Sequence, residues 1–235
     1  MRSRSIPVLT LLSTVLAMLG PVKPAVASVG FFDGVFPDIQ WQLNAYYTLG
    51  NGGTTSALQV LTGGNPAEYR QITDTVNDAG NYPNSAIAGF HQYMPGSYDP
   101  ASQGAIYAID YSEDSIDLSN NGGQGQGAAV AIEQAGIVYV GPIFITPERT
   151  WTHHSYPGLG QNSFVNWPDT QHPDFSTSGA TIYVGFWRQN STYSGGYTVV
   201  GGIDNWSFVI NAQPSPVEKT SWGRIKALYS SSMSR

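Results

Sequence analysis

The feature that most constrains the fold is an alternating stretch near the end of the chain, residues 201–211. After two glycines, Trp206, Phe208 and Ile210 recur at every second position, which is the period of a β-strand with one buried face. Polar side chains occupy most of the intervening positions. We interpret the stretch as the closing strand of a β-sandwich, which ties the end of the domain to its beginning.

Short segments of the same kind recur along the chain, separated by turns rich in glycine, proline and asparagine. This spacing is typical of sandwiches and jelly rolls. The sequence therefore predicts an all-β fold, a jelly-roll β-sandwich of about ten antiparallel strands. Besides the closing strand, the predicted strands are residues 39–49, 57–61, 69–76, 86–93, 105–111, 128–134, 137–145, 149–155, 181–188 and 197–200.

The N-terminus has the pattern of a bacterial signal peptide. Arg2 and Arg4 precede an apolar run over residues 6–19, and residues 25–27 read Ala-Val-Ala, a cleavage motif. We expect residues 1–27 to be removed and residues 28–212 to form the sandwich. An uncleaved anchor is the alternative, but the apolar run is short for a membrane span. The protein is then secreted or at the cell surface, with no membrane association after cleavage.

Residues 213–235 are predicted to be a linker and a C-terminal tail. A proline-rich linker is followed by Trp222, Ile225 and Tyr229, which would share one side of a short helix. The run T-S-W-G-x-I-K-A-L-Y resembles a short tag on secreted bacterial proteins. By analogy it would be a sorting or attachment signal that meets a partner; the alternative is a frayed end.

The charge distribution excludes some classes of partner. All 16 acidic residues but only seven of the ten basic residues lie beyond residue 30. The predicted sandwich itself contains Arg70, Arg149 and Arg188 as its basic residues. Nucleic acids and anionic membranes are bound by clustered Lys and Arg, so neither is an expected partner. Since the chain has no cysteine, its core must be stable without disulfides.

Asp204 is out of place in the closing strand. It has the same parity as Trp206, so in a regular strand its carboxylate would point inward. A buried carboxylate is costly unless it is paired, and basic residues are scarce here. A hard cation such as calcium is one possible partner, and capping of the preceding turn is the other.

Four short motifs carry a resemblance to a known class of domain. They are residues 32–34 (Phe-Asp-Gly), residues 64–73, residues 97–101 (Ser-Tyr-Asp-Pro-Ala) and residues 202–206. Together they resemble secreted bacterial jelly-roll domains of the galactose-binding-like and carbohydrate-binding-module type, over roughly residues 30–211. In such domains a structural calcium often links the first strand to the last. The resemblance implies Asp204 as one calcium ligand and, more loosely, Asp33 as the other.

Glycan binding needs exposed aromatic rings beside polar groups that bond to hydroxyls. We predict Tyr98, Trp167 and Tyr193, which lie in or beside loops, and Arg188 as ligand-binding residues. Their alternative role is to cover the core or the ends of the sandwich. Tyr93, Trp151, Tyr156, Gln189 and Asn190 are further candidates.

Catalysis is the less favoured alternative. A glycosidase needs two carboxylates facing each other across a cleft. The acidic cluster Asp110, Glu113, Asp114 and Asp117 lacks the regular two-residue spacing that would aim them all at one cleft. His91, in a strand, is expected to be a satisfied polar residue, and no hydrolase or metalloprotease motif occurs.

The sequence thus favours a secreted, non-enzymatic β-sandwich that binds a glycan and is stabilised by calcium. The alternatives are a structural surface or matrix protein and a polysaccharide-active hydrolase or lyase.

Overall fold

The computed structural model describes residues 27–119, 125–166 and 170–213. In this part of the chain two antiparallel β-sheets of six strands each form a sandwich, which confirms the predicted all-β fold. The helical elements there are one short helix, α1 (Pro100–Gln103), and 3₁₀ turns at Asp38–Gln40 and Gln161–Ser163. None of the described helices is long and apolar enough to span a bilayer. Almost all of the predicted signal peptide and tail, and Trp167, lie outside the described residues.

The first sheet, sheet A, contains both ends of the domain. Its strands are β1 (Ala27–Asp33), β3 (Gly53–Gly64), β4 (Ala67–Val76), β6 (Ile106–Asp117), β10 (Thr152–Leu159) and β12 (Tyr197–Ala212). Their order is β10-β6-β12-β4-β3, and β1 also pairs with β12.

The second sheet, sheet B, is built from the strands between these. They are β2 (Trp41–Leu49), β5 (Ser85–Tyr98), β7 (Gln126–Gln134), β8 (Ile137–Val140), β9 (Phe144–Thr146) and β11 (Ile182–Thr192). Their order is β2-β5-β11-β7-β8, with β9 also on β7. The single strand predicted over residues 137–145 is therefore two strands, β8 and the start of β9.

The closing strand β12 ties the domain together, as the alternation predicted. Its first half pairs with β4, its second half pairs with β1, and β6 runs along its other side. Trp206, Phe208 and Ile210 are completely buried, and the Trp206 ring meets that of Trp41 from sheet B at 4.9 Å between centroids. These aromatic contacts between β12 and β2 join the two sheets through the middle of the core.

The regular alternation fails at Asp204, where β12 carries a β-bulge. Its register with β6 shifts between Asp204 and Ser207, and Asn205 takes a left-handed backbone conformation with φ of 46°. A bulge inserts an extra residue and re-aims the side chains before it. As a result Ile203 joins Trp206 in the core, and Asp204 does not belong to the inward face that simple parity assigned to it.

The space between the sheets also holds polar groups. Arg70, Ile72, Asp74 and Val76 alternate along β4 and are all buried. His91 from β5 is buried and stacks on Phe186, with 4.6 Å between ring centroids. It is not the satisfied polar residue that the sequence suggested, because neither ring nitrogen has a hydrogen-bond partner in the described structure. Burial lowers the pKa of His91 well below its ordinary value, so the ring is neutral.

Candidate functional site

A cleft lies on the face of sheet B that points away from sheet A. Its enclosed volume is about 250 Å³. The floor comes from β5 and β11, one wall from β2, and the other wall from the end of β8 and the chain that follows it. The lining residues are Tyr47, Leu49, Asn84, Ala86, Ile87, Ala88, Val140, Gly141, Ile143, Val165, Trp187, Gln189, Asn190 and Ser191.

The alternation along β11 places an indole ring on the floor of this cleft. Phe186 and Arg188 point into the sandwich, so Trp187 and Gln189 point to the opposite face. Trp187 is 7% exposed and donates its Nε1–H to Gln189 Oε1 at 2.8 Å. It belongs to a second apolar cluster on this face, against which Tyr47 of β2 packs. Two aromatic rings therefore border one cleft.

The polar groups of the cleft are neutral. Asn84, Gln189, Asn190 and Ser191 line it, and none of the described lining residues is Asp, Glu, Lys, Arg or His. Asn190 is 8% exposed and donates from Nδ2 to the Gly125 carbonyl at 3.0 Å. Its Oδ1 is buried and has no hydrogen-bond partner among the described residues. Asn190 has the parity of Arg188, and its Nδ2 also donates to the hydroxyl of Tyr197 on sheet A at 3.4 Å, so its side chain points into the sandwich and only Gln189 and Ser191 of this strand end point to the cleft face.

Arg188, predicted from sequence to contact ligand, is instead a core residue. Its side chain is 1% exposed, and Nη2 pairs with Glu113 Oε1 of β6 at 2.7 Å. The hydroxyl of Tyr111 donates to the other oxygen of Glu113. This buried ion pair joins sheet A to sheet B directly behind Trp187. Arg188 thus holds β11 in place, and its neighbours Trp187 and Gln189 face the cleft.

The other predicted ligand residues are not brought together. Tyr98 is completely buried, and its hydroxyl donates to the Gly104 carbonyl at 2.8 Å, so the expectation of an exposed loop ring there is wrong. Tyr193 is 81% exposed at the turn after β11 but does not line the cleft. Trp167 lies outside the described residues. Tyr193 and Trp167 stay predictions as ligand contacts.

The further aromatic candidates make structural contacts. Tyr93 packs on Trp41 and Trp206 in the core. Trp151 meets Tyr69 edge to face at 5.4 Å and donates its indole N–H to the Gly63 carbonyl at 3.0 Å, which fastens the start of β10 to the β3–β4 turn. Of the polar candidates, Gln189 and Asn190 do line the cleft.

Asp33 and Asp204, the predicted calcium ligands, lie close enough to interact electrostatically. Their carboxylate oxygens accept hydrogen bonds from N–H groups of the protein. Asp33 Oδ1 accepts the amides of Val35 and Phe36 at 2.8 Å, and Oδ2 accepts Trp41 Nε1–H at 2.7 Å. Burial raises the pKa of Asp204, and the charges of Asp114 and Asp33 add to this.

Asp204 likewise accepts hydrogen bonds from N–H donors. One carboxylate oxygen accepts the Asn65 amide and the other the Asn205 amide. Calcium needs six to eight oxygen ligands with free lone pairs. In the described ranges no group of three or more His, Cys, Asp or Glu residues could hold a metal ion. Calcium stays a prediction.

The acidic cluster of β6 is dispersed. Asp110 accepts the Gly158 amide at 2.7 Å, and Glu113 pairs with Arg188 inside the sandwich. Asp114 lies 2.6 Å from Nδ1 of His153, and Asp117 accepts the Ser119 amide at 2.8 Å. None of the four lines the cleft of sheet B. The arrangement therefore does not supply facing carboxylates to this cleft.

Sequence reasoning missed Tyr47 and Trp187. Both lie within strands, whereas the aromatic residues predicted as ligand contacts lie in or beside loops. A signal for Trp187 was present, because Phe186 and Trp187 are adjacent bulky apolar residues in one strand. Adjacent residues point to opposite faces, so one of them had to lie outside the core.

No family model and no curated protein sequence matches this chain. It is similar to the solved structure of a family 11 carbohydrate-binding module from Clostridium thermocellum in complex with a β-1,3-1,4-mixed-linked tetrasaccharide. The match has 15% identity and a TM-score of 0.47, and it covers 81% of this chain and 99% of that one. A family 22 xylan-binding domain from Paenibacillus barcinonensis matches at 7% identity and a TM-score of 0.37, covering 81% and 97%. A Shewanella oneidensis protein of unknown function matches at 12% identity and a TM-score of 0.40, covering 91% and 100%.

Proposed function

We propose that this protein is a secreted or cell-surface, non-enzymatic module that binds a neutral glycan in the cleft of sheet B. The observation that carries the proposal is the pairing of an indole ring on the floor, Trp187, with uncharged amides beside it. Aromatic faces stack on the apolar faces of sugar rings, while amides bond to the hydroxyls. The N-terminal signal pattern supports export.

The absence of charge in the described lining argues for the class of ligand. A phosphate, a carboxylate or a basic peptide would need an opposite charge to repay its loss of water. A neutral sugar needs hydrogen-bond partners only, and Asn84, Gln189 and Ser191 in the described lining are uncharged groups that can supply them.

A structural role in a surface or matrix is the alternative. An array of neutral oligosaccharides and polysaccharides distinguishes the two roles. We expect retention on at least one neutral glycan and weaker binding by Trp187→Ala, by roughly thirtyfold if the ring contributes about 2 kcal/mol. Absence of retention on every glycan would favour the structural role.

Trp187 also packs against its neighbours, so a second variant separates binding from folding. Gln189→Ala removes a polar contact in the cleft without removing the ring. As a matched control, Tyr107→Ala removes an aromatic side chain that is 66% exposed on β6 of the other sheet. We expect Gln189→Ala to weaken binding with little change in melting temperature and Tyr107→Ala to leave binding intact.

A further inference from the structure

A hydrogen bond crosses sheet B outside the lining of the cleft. Asn44 Nδ2 of β2 donates to Glu133 Oε2 of β7 at 2.6 Å. In the strand order, β5 and β11 lie between β2 and β7. A side-chain bond that spans two intervening strands requires a strongly curved sheet, and it forms a bridge over the concave face. We call it the Asn44–Glu133 bridge.

The sequence produces this bridge through a β-bulge. The register of β2 with β5 shifts between Leu43 and Ala45, so Asn44 is the extra residue of β2. A bulged residue has no partner opposite it, and the local bend re-aims its side chain. Asn44 is exposed and free to reach across the face, and Glu133 lies on β7 opposite Val138 of β8.

The concave face near the bridge is filled by side chains. Phe90 and Ala131 are completely buried, and Val138 packs against the same cluster. The Phe90 ring covers Gly185, since its Cε2 would lie 2.8 Å from any Cβ placed there. Phe90 pairs with Trp187, the floor of the cleft, so this packed region begins where the cleft stops.

The opposite end of the cleft lies at the loop edge of the sandwich. Ser191, near the end of β11, and Asn84, just before β5, line it there. Ser191 is exposed, which gives this end access to solvent. The cleft is therefore asymmetric along the strand direction: Asn84 and Ser191 line the open end, and the other end stops at Trp187, where its buried neighbour Phe90 fills the face.

We propose that this blind cleft recognises the terminal residues of a neutral glycan chain rather than an internal segment, and that the Asn44–Glu133 bridge sets this specificity. The inference rests on the glycan-binding function proposed above. A polymer can lie through a groove that is open at both ends, but in a blind cleft only a chain end fits. The volume of about 250 Å³ agrees with a short bound segment, since it is below the usual range of roughly 300–1,000 Å³ for ligand pockets.

The test measures binding capacity against the number of chain ends. The probes are four soluble neutral polysaccharides: mixed-linkage β-1,3-1,4-glucan, β-1,4-xylan, β-1,4-galactan and α-1,4-glucan. Each is used intact and after partial endo-hydrolysis, which creates ends without changing the linkage. For any probe that is bound, we expect the moles of protein bound per gram to rise by the same factor as the number of ends. Capacity that is unchanged by hydrolysis would overturn the inference.

A variant tests the role of the bridge. Asn44→Ala removes an exposed side chain, and we expect it to bind internal segments, so that its capacity per gram loses its dependence on chain ends. The matched control is Asn211→Ala, which breaks another asparagine–carboxylate hydrogen bond, Asn211 Nδ2 to Asp110 Oδ2 at 2.8 Å on sheet A. The control should keep the dependence on chain ends. If Asn44→Ala keeps it too, the bridge does not set the specificity.

The outcomes separate the inference from the proposed function. If no probe is bound at either chain length and no glycan on the array is retained, the proposed function fails and the inference fails with it. If a probe is bound and the moles of protein bound per gram do not change with the number of chain ends, the glycan-binding function stands and recognition of chain ends is wrong.

Discussion

Asp74 should make the stability of this protein depend on pH in the direction opposite to that of an ordinary salt-bridged aspartate. It is completely buried on β4, and Gln126 Nε2 donates to its Oδ2 at 3.0 Å. Burial raises its pKa from 3.8 to about 6, although the Thr55 hydroxyl, the charge of Arg188 and the Gln126 bond oppose this. By hydrogen-bond geometry its Oδ1 has no partner in the described structure. Compared with the unfolded chain, the folded protein therefore favours the protonated acid below about pH 6.

The magnitude follows from this shift. A pKa that is raised by roughly two units corresponds to about 3 kcal/mol between the two protonation states. Since the folded pKa is above the unfolded one, the contribution is fully present below pH 3.8 and is lost as pH rises through about 6. Asn is a neutral mimic of the protonated acid. Asp74→Asn should match the wild type near pH 4 and exceed its unfolding free energy by about 2–3 kcal/mol at pH 8.

Urea unfolding at intervals from pH 4 to pH 8 measures this difference directly. In melting temperature the advantage at pH 8 is of the order of 4–12 °C for a domain of this size. The matched control is Asp78→Asn, because Asp78 is an exposed carboxylate just after β4. An Asp74→Asn advantage that is equal at every pH, or absent at pH 8, would refute the argument from burial.

Three further outcomes follow from the same contacts. Glu113→Gln should lower the unfolding free energy by about 3 kcal/mol in urea titrations, because it leaves Arg188 buried without its counter-charge; a loss below about 1 kcal/mol would contradict this. With the predicted calcium at Asp204, a chelator should lower the melting temperature and Asp204→Ala should remove this sensitivity; an unchanged melting curve with chelator would count against the calcium site. Tyr98→Phe should cost about 1 kcal/mol of stability through the lost bond to Gly104 and leave glycan binding unchanged; weakened binding would restore Tyr98 as a ligand contact.

The sandwich could be predicted from the sequence because it depends on local alternation. The apolar series of β12 follows from a period of two, and its prediction was correct. The bulge at Asn205 could not be predicted in this way. A bulge depends on pairing with a distant strand, here β6, and one extra residue reverses the parity of everything before it.

The candidate site was harder to predict than the fold, because a cleft depends on curvature and on which strands become neighbours. Tyr47 and Trp187 are far apart in sequence and meet only because β5 brings β2 close to β11. Arg188 was singled out as a polar residue near a strand end, but its partner Glu113 comes from the other sheet. Residue type suggested candidates, and long-range pairing decided which of them face solvent.

The most direct test of the central claim is the NMR signal of the Trp187 indole N–H during titration with a glycan that is retained on the array. The signal is assigned by its loss in Trp187→Phe. We expect the Trp187 signal to shift with added glycan to saturation, while the signal of Trp206, which is buried between the sheets, stays in place. Glycan binding that leaves the Trp187 signal unmoved would contradict the assignment of the cleft of sheet B as the binding site.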